Sequence, residues 1–139
     1  MRLLLAGILA PLVVTCGDAF GDTHYRIVVL EKIKGERPST FEADLALSST
    51  GFTFTARELV VTGSLDESRT GKYRTVVETA PLSESLTGHL GQTADVAKAS
   101  LKLKLDKHWQ MRVTFNARFV LASGAKSSIS IQGEGVEYT

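Results

Sequence analysis

Residues 109–121 alternate between apolar and polar side chains with a period of two. Every odd position in this segment is apolar, and the even positions from 110 to 118 are polar or charged. Successive side chains of a strand point to opposite faces, whereas in a helix the same residues would be scattered around the axis. The segment is therefore predicted to be a long strand with one face buried and the other in water.

The segment before it is predicted to pair with it as an antiparallel hairpin. Residues 97–105 alternate in the same way, and only three residues separate the two segments. A connection this short is typical of a hairpin. In this hairpin we expect Leu105 to face Trp109 and Lys102 to lie opposite Arg112.

A third alternating segment, residues 127–138, follows a turn. Its apolar face begins with isoleucines and continues with Gly133 and Gly135. We expect these glycines to meet Phe115 and Val113, where a missing side chain accommodates a large neighbour or marks a bulge.

The N-terminal half contains four further strand candidates, separated by polar loops and turn signals. The third candidate shifts its alternation at residues 57–58, which predicts a bulge or a bend. A polar loop is expected over residues 64–70, and residues 80–95 are expected to be a connection that could hold a short helix. The four candidates are residues 25–32, 40–47, 52–62 and 73–79. The sequence thus predicts an all-β fold, a single antiparallel β-sandwich or a partly closed β-barrel of about seven strands.

The chain begins with a segment typical of a secretory signal peptide. Arg2 precedes an apolar run over residues 3–14, and small or polar residues follow. The run is shorter than the ~20 residues needed to span a bilayer. We predict a signal peptide over residues 1–19, a single β domain over residues 20–139, and export from the cytoplasm to the periplasm or the exterior.

Cys16, the only cysteine, allows an alternative interpretation of the leader. Residues 13–16 resemble a bacterial lipoprotein box, although Val13 and Thr15 stand where such boxes usually carry leucine and a small residue. In this alternative the lipoprotein signal covers residues 1–15, and a lipidated Cys16 anchors the domain to the cell envelope. With a single cysteine, the domain cannot form an internal disulfide.

The sequence does not predict a catalytic, metal or cofactor site. Ser123 and Lys126 spell an S-x-x-K pattern, but they fall on a predicted hairpin turn without the partner motifs of that enzyme class. The three histidines, His24, His89 and His108, are too far apart in sequence for a zinc-binding pair. We therefore expect no enzyme and no cofactor.

The overall charge is close to balance, but one predicted sheet face is basic. The chain has 16 lysines and arginines against 15 acidic residues, which gives no general attraction to nucleic acid. Five cations are expected on the polar face of two paired strands: Lys98, Lys102, Lys104, Arg112 and Arg118. Such a face suits phosphates, anionic glycans or lipid headgroups, although lysines on a sheet also serve to protect exposed strand edges.

Three functional hypotheses follow from the sequence. The first is an exported, non-catalytic binding or accessory domain whose partner is an unknown protein or an anionic surface, with no nucleic acid expected. The second is a carrier of a small apolar ligand or lipid, which requires a cavity inside a barrel. The third is a membrane-tethered lipoprotein, in which the membrane is reached only through the lipid on Cys16.

Overall fold

The alternating segments form the strands of a barrel. The computed structural model describes residues 23–69 and 72–138. The predicted leader, with Cys16, lies outside the described residues. The elements in chain order are β1 (Thr23–Ile33), β2 (Ser39–Leu47), β3 (Gly51–Ala56), β4 (Leu59–Arg69), β5 (Lys72–Val77), α1 (Thr79–Leu90), β6 (Ala94–Leu105), β7 (Gln110–Leu121) and β8 (Lys126–Tyr138).

Each strand pairs antiparallel with the next, and β8 returns to pair with β1, so that the sheet closes on itself. The closing ladder runs from His24 opposite Tyr138 to Ile33 opposite Ile129. The predicted all-β antiparallel class is confirmed. The architecture is a fully closed barrel of eight strands, one more than the sequence indicated.

The additional strand comes from the segment that was expected to be bulged. Residues 52–62 do not form one strand with a bend, because the chain reverses at Arg57 and Glu58. Ala56 pairs with Leu59, and both side chains are buried. Arg57 adopts a positive φ of 58°, as the first central residue of a tight two-residue hairpin turn does. The shift in alternation therefore marks a turn.

The expected polar loop over residues 64–70 is also wrong. β4 continues to Arg69 and pairs with β5 along most of this length, for example Asp66 opposite Arg74. Polar residues suit a strand here because the outer face of the barrel is in water.

The register of the β6–β7 hairpin differs from the predicted one by two residues. Leu105 pairs with Met111 and Lys104 pairs with Arg112, so Leu105 does not face Trp109 and Lys102 lies opposite Thr114 instead. The turn is longer than expected, since it includes Trp109. A shift of two residues leaves the paired side chains on their predicted faces, whereas a shift of one would have exchanged the faces.

The β7–β8 hairpin shows the same kind of difference. Gly133 lies opposite Val113, and Gly135 lies opposite Met111, where we expected Phe115 and Val113. The strand resumes at Lys126, one residue earlier than predicted, which moves the whole ladder. The S-x-x-K pattern occupies this turn and the first residue of β8.

Helix α1 covers one end of the barrel and confirms the short helix suggested for residues 80–95. Leu82 and Leu86, one turn apart, are completely buried against the strands. Gly91 ends the helix in the left-handed conformation and donates its N–H to the Thr87 carbonyl oxygen, at 3.0 Å.

The barrel interior is filled with apolar side chains. Phe54 and Phe115 are completely buried and Phe119 nearly so, together with leucine, isoleucine, valine and methionine side chains from every long strand. An eight-stranded barrel is just wide enough for its own side chains to fill it. Phe41 lies near the helix-covered end, with the Arg57 guanidinium 4.0 Å above its ring.

Candidate functional site

The outer surface of β5, β6 and β7 carries a concentration of positive charge. These three strands contain seven of the 16 lysines and arginines of the chain and one of its 15 acidic residues, Asp95. We call this surface the basic face. Its cations are Lys72, Arg74, Lys98, Lys102, Lys104, Arg112 and Arg118, all of them exposed.

The five cations predicted from sequence all lie on the basic face, and the fold adds two more. Lys72 and Arg74 belong to β5, which the barrel places beside β6 even though α1 separates the two strands in sequence. Lys72 lies directly opposite Lys104. Because Lys72 and Arg74 are two residues apart, the sequence could place them on one face of a strand. Only the strand order shows that this strand lies next to the other five cations.

Like charges face one another across these strands. Lys98 is opposite Arg118, and Lys104 has cations on both sides, Arg112 on β7 and Lys72 on β5. Directly opposed like charges destabilise a sheet. Among the described side chains, one ion pair neutralises part of the basic face, between Arg112 and Glu134 at 3.6 Å, and both partners are more than half exposed. Such an exposed pair contributes little to stability.

Two shallow grooves lie on the basic face. The larger, about 380 Å³, is lined by Lys98 and Arg118 together with polar residues, among them Ser100, Asn116 and Ser130, and a few apolar ones. The second, about 370 Å³, lies at the base of the β6–β7 hairpin between Lys104 and Arg112. Hydroxyl and amide groups between two cations can bind the oxygens of an anionic group.

The turn of the β6–β7 hairpin projects an exposed tryptophan beside the basic face. The side chain of Trp109 is 71% exposed, and its backbone has a positive φ of 65°. Its N–H donates to the Asp106 carbonyl oxygen at 3.1 Å. The alternation had placed Trp109 on the buried face, which is wrong because residue 109 belongs to the turn.

Asp106 organises this turn with its carboxylate. Its Oδ1 accepts hydrogen bonds from the backbone N–H groups of His108, at 2.8 Å, and Gln110, at 3.0 Å. The Gln110 N–H, and then the His108 N–H and the charges of His108 and Arg112, hold the pKa of Asp106 below its usual value. The carboxylate is therefore ionised near neutral pH and keeps its acceptor role.

A second cluster of ionisable groups lies between α1 and the barrel. His89 Nε2 is 2.7 Å from Glu31 Oε2, and both side chains are almost completely buried. His89 Nδ1 lies 3.3 Å from Glu58 Oε1, a distance that suits an ion pair but without the geometry of a hydrogen bond. The cluster joins the helix to β1 across the end of the barrel, and sequence spacing gave no sign of it.

A third cluster joins the two terminal strands on the outside of the barrel. The Tyr138 hydroxyl donates to Asp44 Oδ1, and His24 Nδ1 is 3.6 Å from Asp44 Oδ2. The hydrogen bond to Asp44 raises the pKa of Tyr138. Arg26 lies 4.6 Å from the centre of the tyrosine ring, a cation–π distance. These contacts fasten β8 to β1 and β2.

Within residues 23–69 and 72–138, no group of three histidine, cysteine or acidic side chains is arranged to hold a metal ion. The same residues contain no helix with the length and apolar character needed to cross a bilayer.

Comparisons with protein-family models, curated proteins and solved structures found no match to this chain. The site must therefore be interpreted from its own chemistry.

Proposed function

We propose that this protein is an exported, non-catalytic binding domain that binds a polyanionic partner on its basic face. One observation carries the proposal: seven cations and a single acidic residue share three adjacent strands of a chain whose formal net charge is only +1. A surface of one sign attracts and orients a partner of the opposite sign.

The structural explanation for a lysine-rich sheet applies poorly to this barrel. Lysines protect the edge strands of open sheets from pairing with other chains. In this closed barrel β7, which carries Arg112 and Arg118, pairs along its length with β6 on one side and β8 on the other, so it has no such edge. The opposed pairs Lys98–Arg118 and Lys104–Arg112 thus carry an electrostatic cost that folding alone does not require.

The other ionisable clusters favour a binding role over catalysis. The Glu31–His89 pair is buried between β1 and α1, and the Asp44–Tyr138 pair joins β2 to β8. Neither pair lines any of the grooves described above. The carrier hypothesis needs an open interior, and the packed phenylalanines at the barrel centre give it no support. Export rests on the leader segment, which is part of the proposal.

The proposal is tested by charge reversal on and away from the basic face. The double variant Lys102→Glu, Arg112→Glu is expected to bind heparin, a soluble sulfated polyanion, at least about tenfold more weakly, because each cation near an anionic surface contributes about 1 kcal/mol. Binding is measured by calorimetry at several salt concentrations, and the wild-type affinity should fall steeply as salt is added.

The matched control is the double variant Arg37→Glu, Arg57→Glu. These exposed cations lie in the β1–β2 loop and the β3–β4 turn, and neither lines a groove of the basic face, so the control makes the same change in net charge elsewhere on the barrel. Equal losses in the two double variants, or no heparin binding by the wild-type protein, would refute the proposal. Circular dichroism checks that both variants are folded.

A further inference from the structure

We infer that the polyanionic partner is the surface of an anionic lipid bilayer, and that Trp109 is the residue that inserts into it. This inference rests on the proposed function and adds the identity of the partner. It combines three features of one end of the barrel: an exposed tryptophan, the cations around it, and the point at which the chain enters the fold.

The backbone conformation that exposes Trp109 to solvent is energetically unfavourable for this residue type. An L-residue with a large side chain rarely adopts the left-handed region that its φ of 65° requires, and glycine or asparagine would fit this turn better. The indole gains little within the barrel, since 71% of the residue is exposed. Backbone strain that packing does not offset is typical of functional positions.

The surroundings of Trp109 match the chemistry of a membrane interface. Tryptophan prefers the headgroup region, where its ring is apolar and its N–H stays hydrated. Lys104 and Arg112 lie at the base of the same hairpin, and its turn carries Lys107 together with one anion, Asp106, so cations outnumber anions there. Such cations are attracted to anionic headgroups while their aliphatic stems cover apolar surface.

The same end of the barrel receives the chain from the leader. β1 begins there at Thr23, and Val136 of β8 is opposite both Arg26 of β1 and Gln110 of β7. Arg26 is therefore two strands from Gln110, about 10 Å away, and Thr23 lies three residues nearer to this end of the barrel. Cys16 precedes Thr23 by seven residues, which reach at most about 25 Å. A lipid on Cys16 would thus hold this end, and not the helix-covered end, against the membrane.

The experiment uses Trp109 as its own reporter, because it is the only tryptophan in the chain. The domain over residues 20–139, which contains every described strand and the helix, is used, so that neither the apolar run of residues 3–14 nor a lipid on Cys16 can cause binding. Vesicles of equimolar phosphatidylcholine and phosphatidylglycerol are compared with vesicles of phosphatidylcholine alone. We expect binding to the anionic vesicles only, with a blue shift of the Trp109 emission and quenching by brominated acyl chains.

The variant Trp109→Gly separates insertion from folding. Glycine accepts the positive φ, so the variant should be at least as stable as the parent and yet bind anionic vesicles about tenfold more weakly. Its heparin affinity should stay unchanged, because the basic face is intact. Val60→Ala, which shortens an exposed apolar side chain elsewhere on the barrel, is the matched control and should bind the vesicles like the parent.

The possible outcomes distinguish this inference from the proposed function. Heparin binding without vesicle binding would overturn the membrane partner and leave the basic face as a site for another polyanion. Vesicle binding with an unshifted Trp109 emission, or equal binding to uncharged vesicles, would also overturn the inference. If the protein without substitutions bound neither heparin nor anionic vesicles, both proposals would be overturned.

Discussion

Gly133 and Gly135 allow β8 to approach β1 closely where the barrel closes. A Cβ atom on Gly135 would collide with the carbonyl oxygen of Arg26, and one on Gly133 with that of Val28. Both glycines lie within a ladder that pairs β8 with β1 along almost its whole length. These two residues remove side-chain volume at the contact between the first and last strands.

The substitution Gly135→Ala is predicted to lower the free energy of unfolding by about 1–3 kcal/mol, the usual cost of overpacking. The new methyl group would meet the carbonyl oxygen of Arg26, a backbone atom that cannot rotate away as a side chain can. Gly88→Ala in α1 is the control. Its Cβ would meet nothing within 4 Å, and alanine should stabilise the helix by about 1 kcal/mol. Urea denaturation of both variants measures the effects. Equal stability of the Gly135 variant and the wild type would contradict the close approach.

At the scale of elements, helix α1 is fastened to the barrel by side chains as well as by its buried leucines. Ser85 accepts the N–H of Val60 at 2.7 Å, and Ser83 accepts the N–H of Val96 at 2.9 Å. The buried contact between His89 of α1 and Glu31 of β1 connects the helix to a third strand. The helix thus satisfies backbone groups that the strand ends leave unpaired.

Removal of one partner of the buried pair should be costly. His89→Ala leaves the Glu31 carboxylate buried without its partner, and losses of about 3–5 kcal/mol are usual in that situation. Glu58→Gln, which changes a side chain that is 69% exposed, should alter stability by less than about 1 kcal/mol. Urea denaturation tests both variants. Similar small effects from the two would mean that the pair does not fasten the helix.

The strand segments themselves were largely predictable, and the turns were not. Alternation correctly assigned the faces of β7, of β8 and of β6 from Lys98 onward, because side-chain direction in a regular strand follows residue parity. It failed at Ala97, which was expected on the apolar face and is exposed at a bulge between Val96 and Lys98. Turn lengths depend on backbone conformations such as the positive φ values of Arg57 and Trp109, for which neither residue type is a signal. This is why one hairpin was missed and two registers were wrong by two residues.

At the scale of the whole molecule, the barrel has a weak seam between β5 and β6. The β7–β8 ladder runs from Gln110 opposite Val136 to Val120 opposite Lys126, whereas Lys72 opposite Lys104 is the one ladder pair that joins β5 to β6 among the described residues. A side-chain hydrogen bond from Thr75 to the carbonyl oxygen of Leu101 partly replaces the missing ladder. The seam lies within the basic face.

We predict that the barrel opens first along this seam. Amide protons of β5 should exchange with solvent faster than those of β7 and β8 under native conditions. The reason is that few backbone hydrogen bonds hold the seam and the opposed cations weaken it. Hydrogen exchange followed by NMR measures this. Protection of β5 equal to that of the β7–β8 ladder would show that the barrel opens only as a unit.

The sequence by itself determined the all-β class, the buried and exposed faces of the long strands, and five of the seven cations of the basic face. All of these depend on local parity, which a strand expresses wherever it is placed. The tertiary structure decided the closure into eight strands, the placement of Lys72 and Arg74 beside β6, the burial of His89 against Glu31, and the exposure of Trp109. These depend on which distant segments meet and on how each turn is built, because neighbours across a sheet are set by strand order and register.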